Sequence, residues 1–590
     1  MAYDGMTMAA VAAELQALVG AKILRIYQPE AHTILLQLRQ PDGSKYRLLA
    51  SADATAARVH LTEHSYPNPA QPPMFCMLLR KHLEGGVVTA VTQPGLDRVL
   101  VLAVQAYDEL HELCQRQLIC EVMGKHSNII LVNPENGQII DAIKRYSHAV
   151  SRYREVLPGS LYIPPPAQNK KDPRTITYED LEAGLLQSLG QTAAKAVAGL
   201  LDGFSPLLGR ELVFRAGLEE DLPVEAMGAY EFGRLYEALQ DLLGELAARC
   251  PFPSLVQGEK GWQAFSAFRL TQFPAERLLH PSSVNETIDR YYRAHQELQA
   301  FQNLQHRLRQ KAQKELERCY KKAALQQDTI RLAQEADTFR VKGEILTANL
   351  YRIKPGDRLV ELENFYDPEG RTIAIELLPE LSPADNAQRY FHLYNKAKNA
   401  AQKARQYYEE TREEMAYLEG ILHSVESADT MAELREIEEE LVKQGYLREA
   451  AGPGKSSPAR PEIPSFRSSD GFTILVGKNN KQNDYLTLRV ARDQDLWLHT
   501  KDLPGSHVII RNPEGKKIPE TTLREAAHLA AYFSKGRFGS QVPVDYTQRK
   551  YVRKPSGAKP GMVLYENHQT IYVTPDPELV EKLKAAPAPS

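Results

Sequence analysis

Residues 291–323 read YYRAHQELQAFQNLQHRLRQKAQKELERCYKKA and residues 390–425 read YFHLYNKAKNAAQKARQYYEETREEMAYLEGILHSV, and how they pair decides the fold. In the first stretch Tyr291, Ala294, Leu298, Phe301, Leu304, Leu308, Ala312, Leu316, Cys319 and Ala323 recur in steps of three or four, the spacing that lines one face of a helix. In the second, Tyr390, Tyr394, Ala397, Ala401, Ala404, Tyr408, Met415, Leu418, Leu422 and Val425 keep the same steps, with Thr411 filling the one gap. Turn signals lie between them, Lys354-Pro355-Gly356-Asp357 and Asp367-Pro368-Glu369-Gly370. The chain can reverse there and pair its own arms, which predicts an antiparallel coiled coil over 282–448 with a folded tip at 343–383. The same seam would also serve to dimerise two chains; the tip between the arms favours the hairpin.

Toward the N-terminus, helix and strand patterns alternate. Met6 to Val19 and Met74 to Leu83 read as helices, and Lys22 to Tyr27, Thr33 to Leu38, Val87 to Thr92, Arg98 to Val104, Gln117 to Met123 and Asn128 to Asn133 as strands joined by short turns. Residues 1–174 are therefore expected to form an α+β domain with a largely antiparallel sheet, closed by a proline-rich joint from Ile163 to Pro173. Residues 175–281 read as mostly helical. Within them Thr192 to Leu201 and Leu207 to Ala216 flank Asp202-Gly203-Phe204-Ser205-Pro206, a helix-hairpin-helix pattern in which Ser205 caps the second helix and Pro206 takes its first turn. A plain αα-hairpin has the same signature.

Toward the C-terminus, residues 449–470 are rich in Pro, Ser and Gly and read as a linker. A smaller α+β domain is expected over 471–578, with strands at Phe472 to Val476, Tyr485 to Val490, Leu496 to His499, His507 to Arg511, Val542 to Tyr546, Met562 to Tyr565 and Thr570 to Val573, a helix at Thr521 to Phe533, and a tail over 579–590. The chain is thus read as multidomain α+β.

The 590 residues carry 72 Lys and Arg against 75 Asp and Glu, a net charge of −3, so nucleic-acid binding would have to rest on local patches. Five cysteines, Cys76, Cys114, Cys120, Cys250 and Cys319, suit a reducing compartment better than a disulfide framework. No leader and no apolar run of spanning length is read, so a cytoplasmic protein is expected. His111, Cys114, Cys120 and His126 lie close together but match no common zinc spacing. No P-loop, dinucleotide fingerprint or G-x-S-x-G elbow is present. Neither a metal, a cofactor nor a catalytic constellation is expected, and the protein reads as a non-enzyme.

Two polar clusters remain. One joins Asp97 and Arg98 to the run Glu121, Val122, Met123, Gly124, Lys125, His126, Ser127, Asn128. Arg98 suits a phosphate or base edge, and a glycine turn would present Lys125 and His126 at a sheet edge; a structural Asp-Arg or Arg-Glu pair is the plainer reading. The other cluster contains Trp497, His499, Lys501 and His507, followed by Arg549, Lys550, Arg553, Lys554 and Lys559 interleaved with tyrosines. That mixture suits an RNA backbone with stacked bases, although a solvated basic loop has the same composition.

The runs GLDRVLVL (95–102), EVMGKHSNIILV (121–132), GEILTANLY (343–351), LSPADNAQRYFHLYNKAK (381–398), KNNKQNDYLT (478–487), DLWLHTKDLPGSHVII (495–510) and VDYTQRKYVRKPSGAKPGMVLY (544–565) resemble the NFACT family over nearly the whole chain. The resemblance implies a ribosome-associated quality-control factor. It would bind large ribosomal subunits that still carry peptidyl-tRNA, contacting ribosomal RNA, with the coiled-coil tip near the stalk base. It would recruit alanyl-tRNA for untemplated alanine tailing, peptide bonds being made by the ribosome. By the same resemblance Asp97, Arg98, Glu121, Met123, Lys125, His126 and Asn128 are tRNA-binding positions, with Val122 where Ile is expected. The factor would act as a monomer on the ribosome, away from membranes. Two other classes compete: a surface fibronectin-binding adhesin, against which no anchor follows Leu503-Pro504-Gly505-Ser506, and a DNA-glycosylase-like protein, against which Ala2 stands where those enzymes use proline.

Overall fold

The computed structural model of the protein describes residues 3–108, 110–149, 153–248, 252–259, 261–448 and 462–584. Ala2, Cys250, most of the expected linker and the last six residues lie outside them. The chain divides into two compact units, Met1–Leu298 and Gln299–Ser590.

In the first unit, helix α1 (Gly5–Glu14) is capped by Asp4, whose carboxylate accepts the Thr7 N–H at 2.8 Å; the expected helix tightens into a 3₁₀ turn from Leu15 to Leu18. Strands β1 (Lys22–Glu30), β2 (Thr33–Arg39), β3 (Lys45–Ser51) and β4 (Arg58–Leu61), helix α2 (Met74–Leu83), then β5 (Val87–Thr92), β6 (Val99–Tyr107), β7 (Leu113–Glu121), β8 (Asn128–Asn133) and β9 (Gln138–Ala142) follow. They form one antiparallel sheet in the order β4-β3-β2-β1-β5-β6-β7-β8-β9, in which β1 and β5 meet only at their ends, Lys22 opposite Val87. Strands β3, β4 and β9 escape the pattern reading: β4 is four residues long, and β3 is apolar only in its second half.

Helices α3 (Tyr178–Leu186), α4 (Ala193–Leu200), α5 (Pro206–Arg215) and α6 (Ala229–Ala247) come next, with a small sheet that the helical reading of 175–281 missed: β10 (Ser254–Gly258), β11 (Gly261–Ser266) and β12 (Leu278–Leu279). Ser205 caps α5 by accepting the Leu208 N–H at 3.3 Å. The turn before it is spent on α1, since Gly203 accepts the Met6 N–H at 3.1 Å. One apolar core runs through this unit from Tyr3 to Tyr292, so the sheet and the helices after it share their interior. Its last members, Val284, Ile288 and Tyr292, belong to the 51-residue helix α7 (Val284–Gln334). The start of α7 is held by Glu14, whose two carboxylate oxygens accept the N–H groups of Val284 at 2.7 Å and Asn285 at 3.0 Å, satisfying donors that a helix start otherwise leaves open.

In the second unit, α7 pairs with α9 (Pro383–Ser427) after α8 (Asp337–Ala348) and the hairpin β13 (Leu359–Glu363) and β14 (Thr372–Glu376). The arms run antiparallel: Gln305 donates to the Val425 carbonyl at 2.8 Å, Tyr320 to Glu419 at 2.7 Å and Gln327 to the Tyr408 hydroxyl at 2.5 Å. Leu308, Ala312, Leu316 and Cys319 pack with Leu418 and Val425, as the spacing predicts. Tyr417 and Ile421 are also buried, because α10 (Met431–Lys443) adds Leu434, Ile437 and Leu441 to the same cluster. At the tip, Ile345, Leu346, Leu362, Ile375, Ala387 and Tyr390 enclose a separate small core.

The C-terminal sheet takes the order β15-β16-β18-β17-β19-β22 from β15 (Ser465–Arg467), β16 (Thr473–Val476), β17 (Leu496–Thr500), β18 (Val508–Ile510), β19 (Val542–Gln548) and β22 (Gln569–Val573), with the short pair β20 (Val552–Arg553) and β21 (Leu564–Tyr565) beside it. Between β16 and β17 lies α11 (Asn480–Tyr485); helix α12 (Glu520–Tyr532) covers one face of the sheet and α13 (Pro577–Leu583) closes it. Three expectations are corrected. Tyr485 to Val490 is not a strand: α11 widens into a helical turn over 486–490 in which the Ala491 N–H reaches the Leu486 carbonyl at 2.9 Å. The stretch expected as linker already contributes β15, and the expected tail contributes α13, whose Val580 and Leu583 enter the core.

Candidate nucleic-acid interface

The turn from β5 to β6 is Gln93-Pro94-Gly95-Leu96-Asp97-Arg98, with Gly95 at φ +61°. It approaches α1 so closely that a Cβ on Gly5 would stand 1.8 Å from the Leu96 carbonyl oxygen and 2.6 Å from the Gly203 Cα. Glycine is therefore required at position 5, and turn, helix start and α4–α5 connection lock together. Asp97 accepts the Arg98 N–H at 2.7 Å; burial raises its pKa, the Arg98 hydrogen bond opposes that, and Asp202 adds to the rise. Asp97 and Arg98, both half-buried, line a cavity of about 170 Å³ with Lys170, Asp202, Ser205 and Asp4. Lys170 donates to the Ala198 carbonyl at 2.9 Å, and burial lowers its pKa. Its place beside Arg98 was not legible in the sequence, where it sits in the proline-rich joint; the only signal is the pair Lys170-Lys171.

The Arg98 carbonyl accepts the Val122 N–H at 2.8 Å, which ties this turn to the second part of the cluster. There the named residues divide by side. Glu121 is 1 % exposed and takes both Arg154 guanidinium nitrogens, at 2.7 and 2.5 Å, plus the Tyr162 hydroxyl at 3.0 Å. Burial alone would lower the Arg154 pKa, but the Glu121 hydrogen bonds and charge raise it. Val122 is buried, and Asn128 bridges to residue 144, accepting the Lys144 N–H at 3.0 Å and donating to its carbonyl at 2.9 Å. Met123 is half-buried. Gly124, at φ +59°, opens a 3₁₀ turn that leaves Lys125 and His126 exposed. Glu121, Val122 and Asn128 thus build the turn, and Lys125 and His126 are what it presents.

In the C-terminal domain most of the named side chains turn inward. Trp497 is fully buried with its indole N–H unpartnered. His499 stacks on it at 5.8 Å between ring centroids and Tyr565 tilts against it at 4.8 Å. Burial lowers His499 to about 4 and pushes His507 well below its ordinary value; His507 Nδ1 lies 2.7 Å from the Thr487 hydroxyl. Arg549 donates to the Thr487 carbonyl at 2.6 Å. Lys554 pairs with Asp484, which also accepts the Gly561 N–H at 3.1 Å. Lys559 donates to the Tyr446 hydroxyl at 2.5 Å and lies over the rings of Tyr417 and Tyr446, at 4.5 and 5.0 Å. In the loop read from sequence as a basic RNA contact, Arg549 and Lys554 are therefore spent inside the domain and Lys559 ties it to the helices, while Lys550 and Arg553 remain exposed, with Lys501 on a neighbouring loop. Arg553 shares its charge with Glu566 at 3.0 Å.

The cysteines and histidines near β7 do not converge. Cys114 donates to the Ala106 carbonyl at 3.3 Å, while Cys120 is buried with its thiol pushed up to about 12. Among the described residues no three His, Cys, Asp or Glu side chains are grouped to hold a metal ion, and no helix is long and apolar enough to cross a membrane.

Residues 4–459 match the NFACT N-terminal and middle domains, and residues 463–567 the NFACT protein RNA binding domain. The chain is 39% identical to the Rqc2 homolog RqcH of Bacillus subtilis (strain 168), over 99% of this chain and 100% of that one. It is 22% identical to the ribosome quality control complex subunit NEMF of Homo sapiens, over 90% of this chain and 56% of that one. A solved structure of the fibrinogen binding protein from Staphylococcus aureus is 32% identical and covers 50% of this chain and 99% of its own, with a TM-score of 0.42. With both of its parts matched in order and a relative aligned from end to end, the chain belongs to the NFACT family.

Proposed function

We propose that the protein is a ribosome-associated quality-control factor: it binds large ribosomal subunits that still carry peptidyl-tRNA and recruits alanyl-tRNA for untemplated alanine tailing of the stalled chain. The observation that carries the reading is the end-to-end likeness to a Rqc2 homolog, 39% identical over 99% of this chain. The local chemistry supports it. Arg98 and Lys170 bring two cations to a cavity that Asp4, Asp97 and Asp202 also line, and on the adjoining turn Lys125 adds a charge and His126 a polar ring, groups suited to a folded RNA backbone. Arg98 makes the charged RNA contact, and Asp97 orients it. The α4–α5 pair acts as a helix-hairpin-helix beside this surface. The tip at 343–383 reaches the stalk base, and the C-terminal domain holds ribosomal or transfer RNA. Peptide bonds form in the ribosome's own centre, so the factor works in the cytoplasm as a binding protein.

Purifying the tagged protein from growing cells and sequencing its bound RNA tests this directly. Free large subunits and a tRNA pool dominated by alanine acceptors are expected; absence of both overturns the reading. Arg98→Ala is expected to abolish tRNA co-purification while the unfolding midpoint stays put, and unchanged tRNA recovery would remove Arg98 from the contact.

A further inference from the structure

The connection from α12 to β19, Ser534-Lys535-Gly536-Arg537-Phe538-Gly539-Ser540-Gln541, places an aromatic ring in water: Phe538 is 96 % exposed. The backbone beneath it is fixed. Ser534 is buried, donates to the Ala531 carbonyl at 2.8 Å and accepts the Gly536 N–H at 3.0 Å. Arg537 N–H reaches the Ser534 carbonyl at 3.1 Å and Gly539 N–H the Gly536 carbonyl at 2.8 Å. The Lys535 N–H is held by the Pro504 carbonyl at 2.9 Å, which brings the loop against residues 501–506. Gly536 is closely packed: a Cβ there would lie 3.0 Å from a Val542 methyl and 3.3 Å from a Leu503 methyl.

The charges on the two adjoining loops are mostly positive. The Arg537 guanidinium carbon lies 4.0 Å from the centre of the Tyr532 ring and 5.7 Å from that of Phe538, and the guanidinium donates to the Tyr532 hydroxyl, so the cation is held beside the exposed ring. Lys535 and Lys501 are exposed on the two adjoining loops, and Asp502 is the one carboxylate in 501–506 and 534–541. A rigid ring between exposed cations meets the needs of a nucleotide, whose base offers a flat face and whose phosphate offers a charge. A duplex buries those faces; an unpaired strand exposes them.

We infer that the 534–541 loop is a binding site for unpaired RNA, in which a base stacks on Phe538 and the flanking phosphates are held by Lys501, Lys535 and Arg537. This rests on the reading that the C-terminal domain holds RNA, and it assigns that contact to a different loop from the basic run at 549–559. Because the loop is already ordered, little conformational freedom is lost on binding.

The full chain is titrated with a fluorescein-labelled oligoadenylate, with the same strand in a duplex, and with a strand carrying 2-aminopurine. Phe538→Ala is expected to weaken single-strand binding about tenfold and to abolish the 2-aminopurine quenching that stacking produces, while Phe538→Trp keeps both. Lys535→Gln is expected to lower the salt slope of single-strand binding by about 0.7. Unchanged affinity and quenching in Phe538→Ala, together with weaker binding in the Lys550→Gln/Arg553→Gln double variant, would overturn this site and leave the RNA reading standing. Equal affinity for strand and duplex would overturn the stacking. Loss of large-subunit binding in Phe538→Ala with oligonucleotide affinity intact would make the loop a protein contact, and failure of the full chain to bind any RNA would remove the reading beneath it.

Discussion

The polar runs at 121–128 and 549–559 look alike as strings of charge, yet they use charge in opposite ways. In the first, the buried anchor is a carboxylate: Glu121 holds Arg154 and Tyr162 inside, and Lys125 and His126 stand outside. In the second, cations are the anchors, Arg549 on a backbone carbonyl, Lys554 on Asp484 and Lys559 on two tyrosine rings. Neutralising a cation should therefore change RNA binding in the first run, and in the second the domain's own packing at Arg549 and Lys554 or its attachment to the helices at Lys559.

The largest effect tests the anchor of the first run. Arg154→Leu leaves Glu121 buried without its partner and is expected to destabilise the first unit by about 3–5 kcal/mol in chemical denaturation; a loss below about 1 kcal/mol would mean that the turn does not hang on this pair. Next comes the clamp of the second run. Lys559→Met is expected to cost about 2 kcal/mol and to speed amide hydrogen exchange across α10, where Lys550→Gln stays within about 0.5 kcal/mol of the parent. Equal effects of the two substitutions would erase the contrast between inward and outward cations.

A pH titration of the C-terminal domain is third. His499 falls from 6.5 to about 4 on folding and His507 falls well below 6.5, burial being the main cause in both. Between those values the unfolded chain binds more protons than the folded one, so stability is complete above about pH 6.5 and declines as the pH drops toward 4. His499→Gln should flatten that decline; an unaltered profile would place the acid sensitivity elsewhere. The smallest effect is Lys125→Gln, expected to leave stability within about 0.5 kcal/mol while lowering the salt slope of RNA binding by up to about 0.9. A stability loss with an unchanged slope would move Lys125 to the structural side.

The sequence was most legible where one periodicity ran between clear breakers. Met74–Leu83, Val87–Thr92 and Asn128–Asn133 take the bounds that their patterns predict, and the seam of Leu308, Ala312, Leu316 and Leu418 is buried as spaced. Alternation misled at 486–490, where Leu486, Leu488 and Val490 mimic a strand, while Asn479 caps a helix by accepting the Gln482 N–H at 2.8 Å. Trp497 and His507 were misplaced for a different reason. The C-terminal sheet carries apolar layers on both faces, Leu498 facing one cluster and Trp497 the other, so neighbouring residues are buried together and a polar-looking run gives no clue to its side. The meeting of Lys170 with Arg98, and the outward Phe538, depend on contacts distant in sequence or on their absence, which no local pattern records.

Helix α1 depends on residues that come much later in the chain. Gly5 is shaped to sit against Gly203, and Glu14 holds the N–H groups of Val284 and Asn285. During synthesis these partners follow hundreds of residues behind, an interval of roughly ten seconds to a minute at ~5–20 residues per second. Through that interval α1 can already rest on the first sheet, where Gln93 donates to the Gly5 carbonyl at 2.9 Å and Tyr3 to the Val59 carbonyl at 2.6 Å, while its contacts to Gly203 and to the start of α7 are still missing. Chains halted before residue 285 would thus leave the Glu14 carboxylate without the Val284 and Asn285 N–H groups that it accepts in the complete unit.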